Sequence, residues 1–244
     1  MRLLKTGIIS LFTFLLLTGC LYPDERRIEN SVPYSDQLQA VENAVLQYRQ
    51  DYGAVPVKTR EEDTPIFRRY PINFTQLVPG YLQSAPGNSF ENGGVFQYVL
   101  IHPERMPEVK LIDLRVSREI QNFHQRILEY RRTNNFAPVN EAIGDGILSI
   151  DFKALNYDNE PAVSSPFHSD HKLPLLMQTD GEIIVDYSMD IMHYINEYGM
   201  GEYVEGDDLR WLLVDHSPFV PVNSLPQTMK DGEIVFMSGS ESIE

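Results

Sequence analysis

The sequence predicts an α+β protein of two to three tandem units, each a helix followed by a small antiparallel sheet. Three observations carry this expectation. The stretch "LQAVENAVLQYRQDYGAVPV" (38–57) recurs without a gap as "IQNFHQRILEYRRTNNFAPV" (120–139), an offset of 82 residues. A shorter copy, "IMHYINEYG" (191–199), repeats "VLQYRQDYG" (45–53). Asp-Gly pairs in "DGEIIVDYS" (180–188) and "DGEIVFMSG" (231–239) are turn signals ahead of Ile/Val runs that favour strands. A repeat of this size rarely buries its apolar face alone, so neighbouring units should pack on one another.

The elements follow in order. Leu38, Val41, Val45, Tyr48 and Tyr52 step by three and four, one face of an amphipathic helix. Ser35 or Asp36 can cap it, and Gly53 ends it. Ile120, Phe123, Ile127 and Tyr130 occupy the same register in the second helix, with Ser117 as the expected cap and Asn134-Asn135 as the stop. Pro56 and Pro138 prevent either helix from continuing. "INFTQL" (72–77) recurs as "IDFKAL" (150–155) and more loosely as "DDLRWL" (207–212). "SSPFHSD" (164–170) resembles "HSPFVPV" (216–222), a repeated Pro turn. Each unit therefore reads as helix, Pro-containing loop, short helical segment, Pro turn and one or two strands. "VFQYVLI" (95–101) and "EVKLIDLRV" (108–116) are the strands of the first unit.

The N-terminus reads differently. Arg2 and Lys5 precede an apolar run, Thr6 to Leu17. Twelve helical residues rise about 18 Å, short of a ~30 Å hydrocarbon core, so this is a leader core and not a membrane span. The run ends in Leu17-Thr18-Gly19-Cys20, and Cys20 is the only cysteine of the chain. The combination resembles the lipobox of bacterial lipoproteins. That resemblance implies a diacylglycerol on Cys20 and cleavage before it, with Leu17, Thr18 and Gly19 read by the lipoprotein signal peptidase. It also implies a lipid-anchored position on the extracytoplasmic face of the cell membrane. The expected organisation is a signal peptide at 1–19, a lipidated tether at 20–35, and units at 36–110, 111–188 and 189–237, with a tail at 238–244. With Cys20 lipidated no intrachain disulfide forms, so the fold must stand on its apolar core.

The first unit also has an outside likeness. "AVENAVLQYRQDYGAVPV" with "FTQLVPGYLQSAPGNSFENGGVFQYVLI" is similar to the periplasmic part of type II secretion pseudopilins, which implies one long helix against a small antiparallel sheet. The long apolar pilin helix is missing, and a lipobox stands in its place. The chain as a whole looks like uncharacterised surface lipoproteins of Bacillus-type bacteria, some of which carry a transporter-binding-protein label.

Composition and motifs narrow the chemistry. The formal net charge of −15 opposes nucleic-acid binding. No P-loop or dinucleotide fingerprint appears, and there is no G-x-S-x-G. "FHSDHK" offers His168 and His171 with Asp170 between them. Zinc sites need three or four ligands and no H-E-x-x-H is present, so this reads as a solvated polar loop, and no metal or other cofactor is assigned. The acidic runs 61–64, 156–160 and 204–208 lack an EF-hand pattern and read as solvated surface. Asp215, His216 and Ser217 are adjacent, but sequence neighbours point in different directions, so no catalytic residue is assigned. The pairs Arg68-Arg69 and Arg131-Arg132 suit helix ends. The tyrosines Tyr48, Tyr52, Tyr130, Tyr194 and Tyr198 are expected in the core. The resulting expectation is a lipoprotein acting as a binding or interaction module of the cell envelope. Its partners are membrane lipid through Cys20 and an envelope protein. The alternatives are a substrate-binding lipoprotein of an ABC transporter and, further off, an envelope hydrolase.

Overall fold

Helix α1 spans Tyr34–Tyr52 in a computed structural model that describes residues 34–237. The leader, Cys20 and the 238–244 tail lie outside the described residues. The helix begins inside the stretch expected to be tether, so Ser35 and Asp36 sit within its first turn. An acidic Asp36 there suits the positive end of the helix dipole. Gly53 stops the helix as expected, with φ of 70° and its N–H on the Arg49 carbonyl at 2.9 Å. Val57 then bridges Ile72 antiparallel. The short helix α2, Phe74–Leu77, starts at Asn73, whose side chain accepts from the Thr75 N–H at 3.3 Å. Strands β1 (Phe96–Ile101) and β2 (Glu108–Asp113) close the unit as an antiparallel pair.

Helix α3, Leu114–Asn134, follows β2 with no linker. The expected strand through residue 116 therefore ends three residues early, and the expected cap at Ser117 is corrected to Asp113. The physical reason is local. The buried Asp113 carboxylate accepts from the Arg115 N–H at 2.9 Å and pairs with its guanidinium at 2.6 Å. A break at 110/111 would fall inside β2. Asn135 ends α3 in the left-handed conformation, φ of 64°, and its N–H reaches the Arg131 carbonyl at 2.9 Å. Beyond Pro138 the loop reading is corrected to a hairpin, β3 (Val139–Gly144) with β4 (Ile147–Ile150). Its Val139–Ile150 pair corresponds to the Val57–Ile72 bridge of the first unit. Strands β5 (Ala162–Ser164), β6 (Lys172–Gln178) and β7 (Ile183–Val185) complete a five-stranded antiparallel sheet in which β6 pairs with β4, β5 and β7.

The third run repeats the plan. Helix α4, Ser188–Tyr198, ends at Gly199 with φ of 77°. Helix α5, Arg210–Asp215, precedes the hairpin β8 (Gln227–Lys230) and β9 (Glu233–Phe236). Both Asp-Gly turns sit where the sequence puts them, at the tips of β6–β7 and β8–β9, and Asp231 and Gly232 both take positive φ. The expected short helix at 150–155 is corrected to a run of turns over 152–156, but the three corresponding segments share one device. Asn73, Asp151 and Asp208 each accept a backbone N–H just downstream, from Thr75, Ala154 and Arg210. Leu77, Leu155 and Leu212 are buried at matching places. The fold is thus α+β, built from tandem helix-plus-antiparallel-sheet units.

Two cores result. In the first, Val41 and Val45 of α1 meet Phe96, Tyr98 and Leu100 of β1. The alternate residues Val99 and Ile101 face the other way, against Val214, Val220 and Val222 from the third run. The larger core joins α3, α4, α5 and the five-stranded sheet. The tyrosine expectation divides. Tyr194 is buried, and Tyr48 and Tyr130 are half-buried against the cores. Tyr52 and Tyr198 are exposed, because they lie in the last turn before the glycine stop, beyond the sheet.

A strap between the sheets connects everything. Leu111 donates its N–H to Pro218 at 2.8 Å and accepts from Val220 at 3.0 Å. Four residues on, the Tyr187 hydroxyl donates to the Val222 carbonyl at 3.0 Å, and Val185 donates to the Asn223 carbonyl at 2.7 Å. Tyr187 is fully buried, and burial pushes its hydroxyl far above the ordinary value of 10.0. In the unfolded chain it ionises near that ordinary value, so above it the folded state holds one more proton. Stability then falls by about 1.4 kcal/mol per pH unit. Tyr187→Phe should cost about 1–3 kcal/mol at neutral pH by stranding the Val222 carbonyl. Urea denaturation at rising pH should show that deficit shrinking above pH 10, because the variant lacks the alkaline loss. A deficit that stays constant would mean the hydroxyl titrates in the fold.

Candidate functional site

The turn between β5 and β6 is held by one hydroxyl. Ser165 Oγ accepts from the N–H groups of Phe167 and His168, at 2.9 and 3.2 Å. Its backbone N–H donates to the His171 carbonyl at 3.1 Å, and His171 N–H donates to the His168 carbonyl at 3.2 Å. Both histidines are therefore set by backbone hydrogen bonds. Ser165 Oγ in turn donates to Asp190 Oδ2 at 2.7 Å.

Asp190 lies in the first turn of α4 and is wholly buried. Its other oxygen, Oδ1, stands 2.6 Å from His171 Nδ1. Burial pushes the Asp190 carboxyl up, while the hydrogen bonds from Ser165 and His171 and the charges of His171 and His168 pull it back. His193 sits three residues after Asp190, on the same helix face. Its ring lies 4.6 Å from that of His168 and 5.5 Å from that of His171, and the rings of His168 and His171 stack at 4.1 Å. One nitrogen from each of the three rings lies within 4.8 Å of the others. Glu197 Oε2, 3.4 Å from His193 Nε2, brings a carboxylate to the rim. The donor set is three imidazoles, one of them backed by a buried carboxylate.

The reading of 168–171 as a solvated polar loop is corrected in one respect, since residues 165–168 and 171 are half-buried. The His171 side chain is only 17% exposed, and a third histidine arrives from the next unit. Sequence spacing missed His193 because proximity across units is a tertiary fact. The repeat gave no signal for Asp190 either, because its register holds Ala44 in the first helix and an exposed Arg126 in the second.

The other sequence candidates disperse. Asp215 accepts from the Tyr203 hydroxyl at 2.6 Å, Ser217 Oγ accepts from the Phe219 N–H at 3.1 Å, and the His216 ring stacks on Tyr198 at 4.1 Å. The three neighbours thus serve three different contacts. The acidic run 204–208 is also more than solvated surface. Asp207 accepts the Val204 N–H, and Asp208 forms a two-pronged pair with the buried Arg210. Arg69 donates to the Thr64 carbonyl at 3.0 Å, while Arg68, Arg131 and Arg132 are exposed. An open cleft of about 370 Å³ lies where Trp211 stacks on His102 at 4.9 Å, beside Tyr70, Ile101 and Arg105.

The fold and this cluster define an α+β protein with a histidine-rich face at the junction of its second and third units. Residues 34–113 match the YphF family N-terminal domain. That span runs from the start of α1 to the end of β2, which is the first helix-plus-hairpin unit. No curated protein and no solved structure matches the chain.

Ser165→Ala removes a donor to a buried carboxylate and an acceptor for two amides. It should destabilise the fold by about 1–3 kcal/mol, read by chemical denaturation. A change within about 0.5 kcal/mol, the range of ordinary surface substitutions, would show that the turn stands without the hydroxyl.

Proposed function

We propose that this chain is an extracytoplasmic lipoprotein, held to the cell membrane by diacylglycerol on Cys20, that acts as a binding or interaction module of the cell envelope. The observation that carries the reading is Leu17-Thr18-Gly19-Cys20 at the end of a short apolar run. These residues lie outside the described residues, so the reading rests on sequence. Two acyl chains hold a protein on a membrane where one does so only marginally. No described helix is long and apolar enough to cross a membrane, which suits a body held by lipid alone. The acidic chain is repelled by anionic headgroups, which favours a body standing off the surface on its anchor.

The tandem helix-plus-sheet units support an interaction role. The surface carries exposed apolar side chains on several loops and ends, among them Phe90, Met106, Phe136 and Val204. These offer contact points for an envelope protein. All strand pairs in the three sheets are antiparallel. That counts against the paired parallel-sheet lobes typical of solute-binding proteins.

Cys20→Ala should move the protein out of the membrane fraction or leave it as uncleaved precursor, as read by fractionation and intact mass. Normal processing with membrane retention would overturn the anchor. In-cell crosslinking of the wild type, followed by mass spectrometry, tests the interaction role. A reproducible envelope partner is expected, and capture of transporter subunits would favour the solute-binding alternative.

A further inference from the structure

We propose that His168, His171 and His193 together bind one divalent transition-metal ion of the zinc type, and that this ion fastens helix α4 to the β5–β6 turn. The inference is independent of the lipid anchor. It rests on the geometry of the three rings. The ligand nitrogens lie within 4.8 Å of one another, whereas tetrahedral zinc with nitrogen ligands needs them about 3.3 Å apart. With His171 held on Asp190, rotation of the His168 and His193 side chains is the movement that metal binding calls for.

The choice of metal follows from the donors. Three neutral imidazoles suit zinc, copper, nickel or cobalt, while calcium and magnesium want oxygen. Three histidines with a fourth position left to water match a common arrangement for zinc. The surroundings complete the case. Histidine ligands generally give their second ring nitrogen to a carboxylate or carbonyl, which fixes the tautomer. Here Asp190 Oδ1 takes His171 Nδ1 at 2.6 Å, which leaves Nε2 with its lone pair free. The carboxylate is itself held by Ser165, whose hydroxyl also shapes the turn carrying His168 and His171. His168 Nδ1 lies 3.3 Å from the Asp170 N–H, a long contact that the ring gives up on binding.

The ion explains an otherwise costly placement. A wholly buried carboxylate in a helix of an apolar core is expensive unless it is paired. Ser165 and His171 are its hydrogen-bond partners, and a cation on His171 completes the charge balance. The site also explains why the ligands divide between units, two on the turn of the second and one on the helix of the third.

The test uses the full-length protein in detergent micelles, stripped with chelator and titrated with Zn²⁺ and then Co²⁺. The expected result is one ion per chain, tetrahedral Co²⁺ absorption bands, and a rise in Tm on adding Zn²⁺. His193→Gln and, separately, His168→Gln should abolish stoichiometric binding and the Tm rise while leaving the far-UV circular dichroism unchanged. Asp190→Asn should weaken Zn²⁺ affinity by about 10–100-fold. His124→Gln, on a half-buried position of α3 away from the cluster, should bind as wild type. Binding that is absent in wild type, or that survives both histidine substitutions, would overturn the proposal. A failed Cys20 anchor would leave every one of these readouts untouched.

Discussion

The strap from Pro218 to Gln227 is the constraint on which the rest of the structure depends. A strand edge presents unpaired N–H and C=O groups, and burying them unpaired is costly. The strap meets this demand twice. It hydrogen-bonds Leu111 on β2 and, a few residues later, Val185 on β7. The two sheets never pair with each other directly. They are joined by a segment from the third run, so that run connects the other two. Gln227 closes the strap from inside, as its carbonyl takes the Leu209 N–H and its side chain reaches Tyr187 N–H and Asp186.

The chemistry-bearing groups gather at the same seam. Arg210 lies under the strap, paired with Asp208, donating to the Ser224 carbonyl and stacked on Phe67 of the first unit. Asp190 sits on the helix that begins next to Tyr187. Asp113, Asp190, Arg210 and Gln227 put buried polar groups where the units join. A second buried polar set lies inside the first unit, where the Tyr98 hydroxyl donates to Asn88 Oδ1 at 2.7 Å beside Gln37 and Ser89. The junction contacts fix how the copies sit.

Much of this was legible in the residues. Val41 and Phe123, then Val45 and Ile127, are buried at the 82-residue offset, because a helix face is a local periodicity that sequence displays directly. The stops at Gly53, Asn135 and Gly199 were legible for the same reason, as left-handed positions favour those residue types. What was hidden depended on competition or distance. Leu114, Val116 and their neighbours read as a strand by alternation, but the Asp113 side chain captured the Arg115 amide and started a helix. The hairpin after Pro138 carries the same Asp-Gly signal, Asp145-Gly146, as the two turns read from the sequence, but its first strand is exposed along its whole length, so no apolar alternation marked it. His193 carried no signal in the sequence, since the matching places of the other two helices hold Gln47 and Glu129. Only the fold brings it to His168 and His171.

The Val57–Ile72 bridge and the β3–β4 hairpin hold the same place in successive units, yet the chain between their ends differs in conformation. In the first unit residues 58–63 are all exposed. Chain length at such a point is thermodynamically inexpensive, since doubling a flexible loop costs only about 0.6 kcal/mol. This position is thus a natural graft point, where an epitope or a small reporter domain can be spliced into the anchored protein while both cores and the seam between the units stay intact.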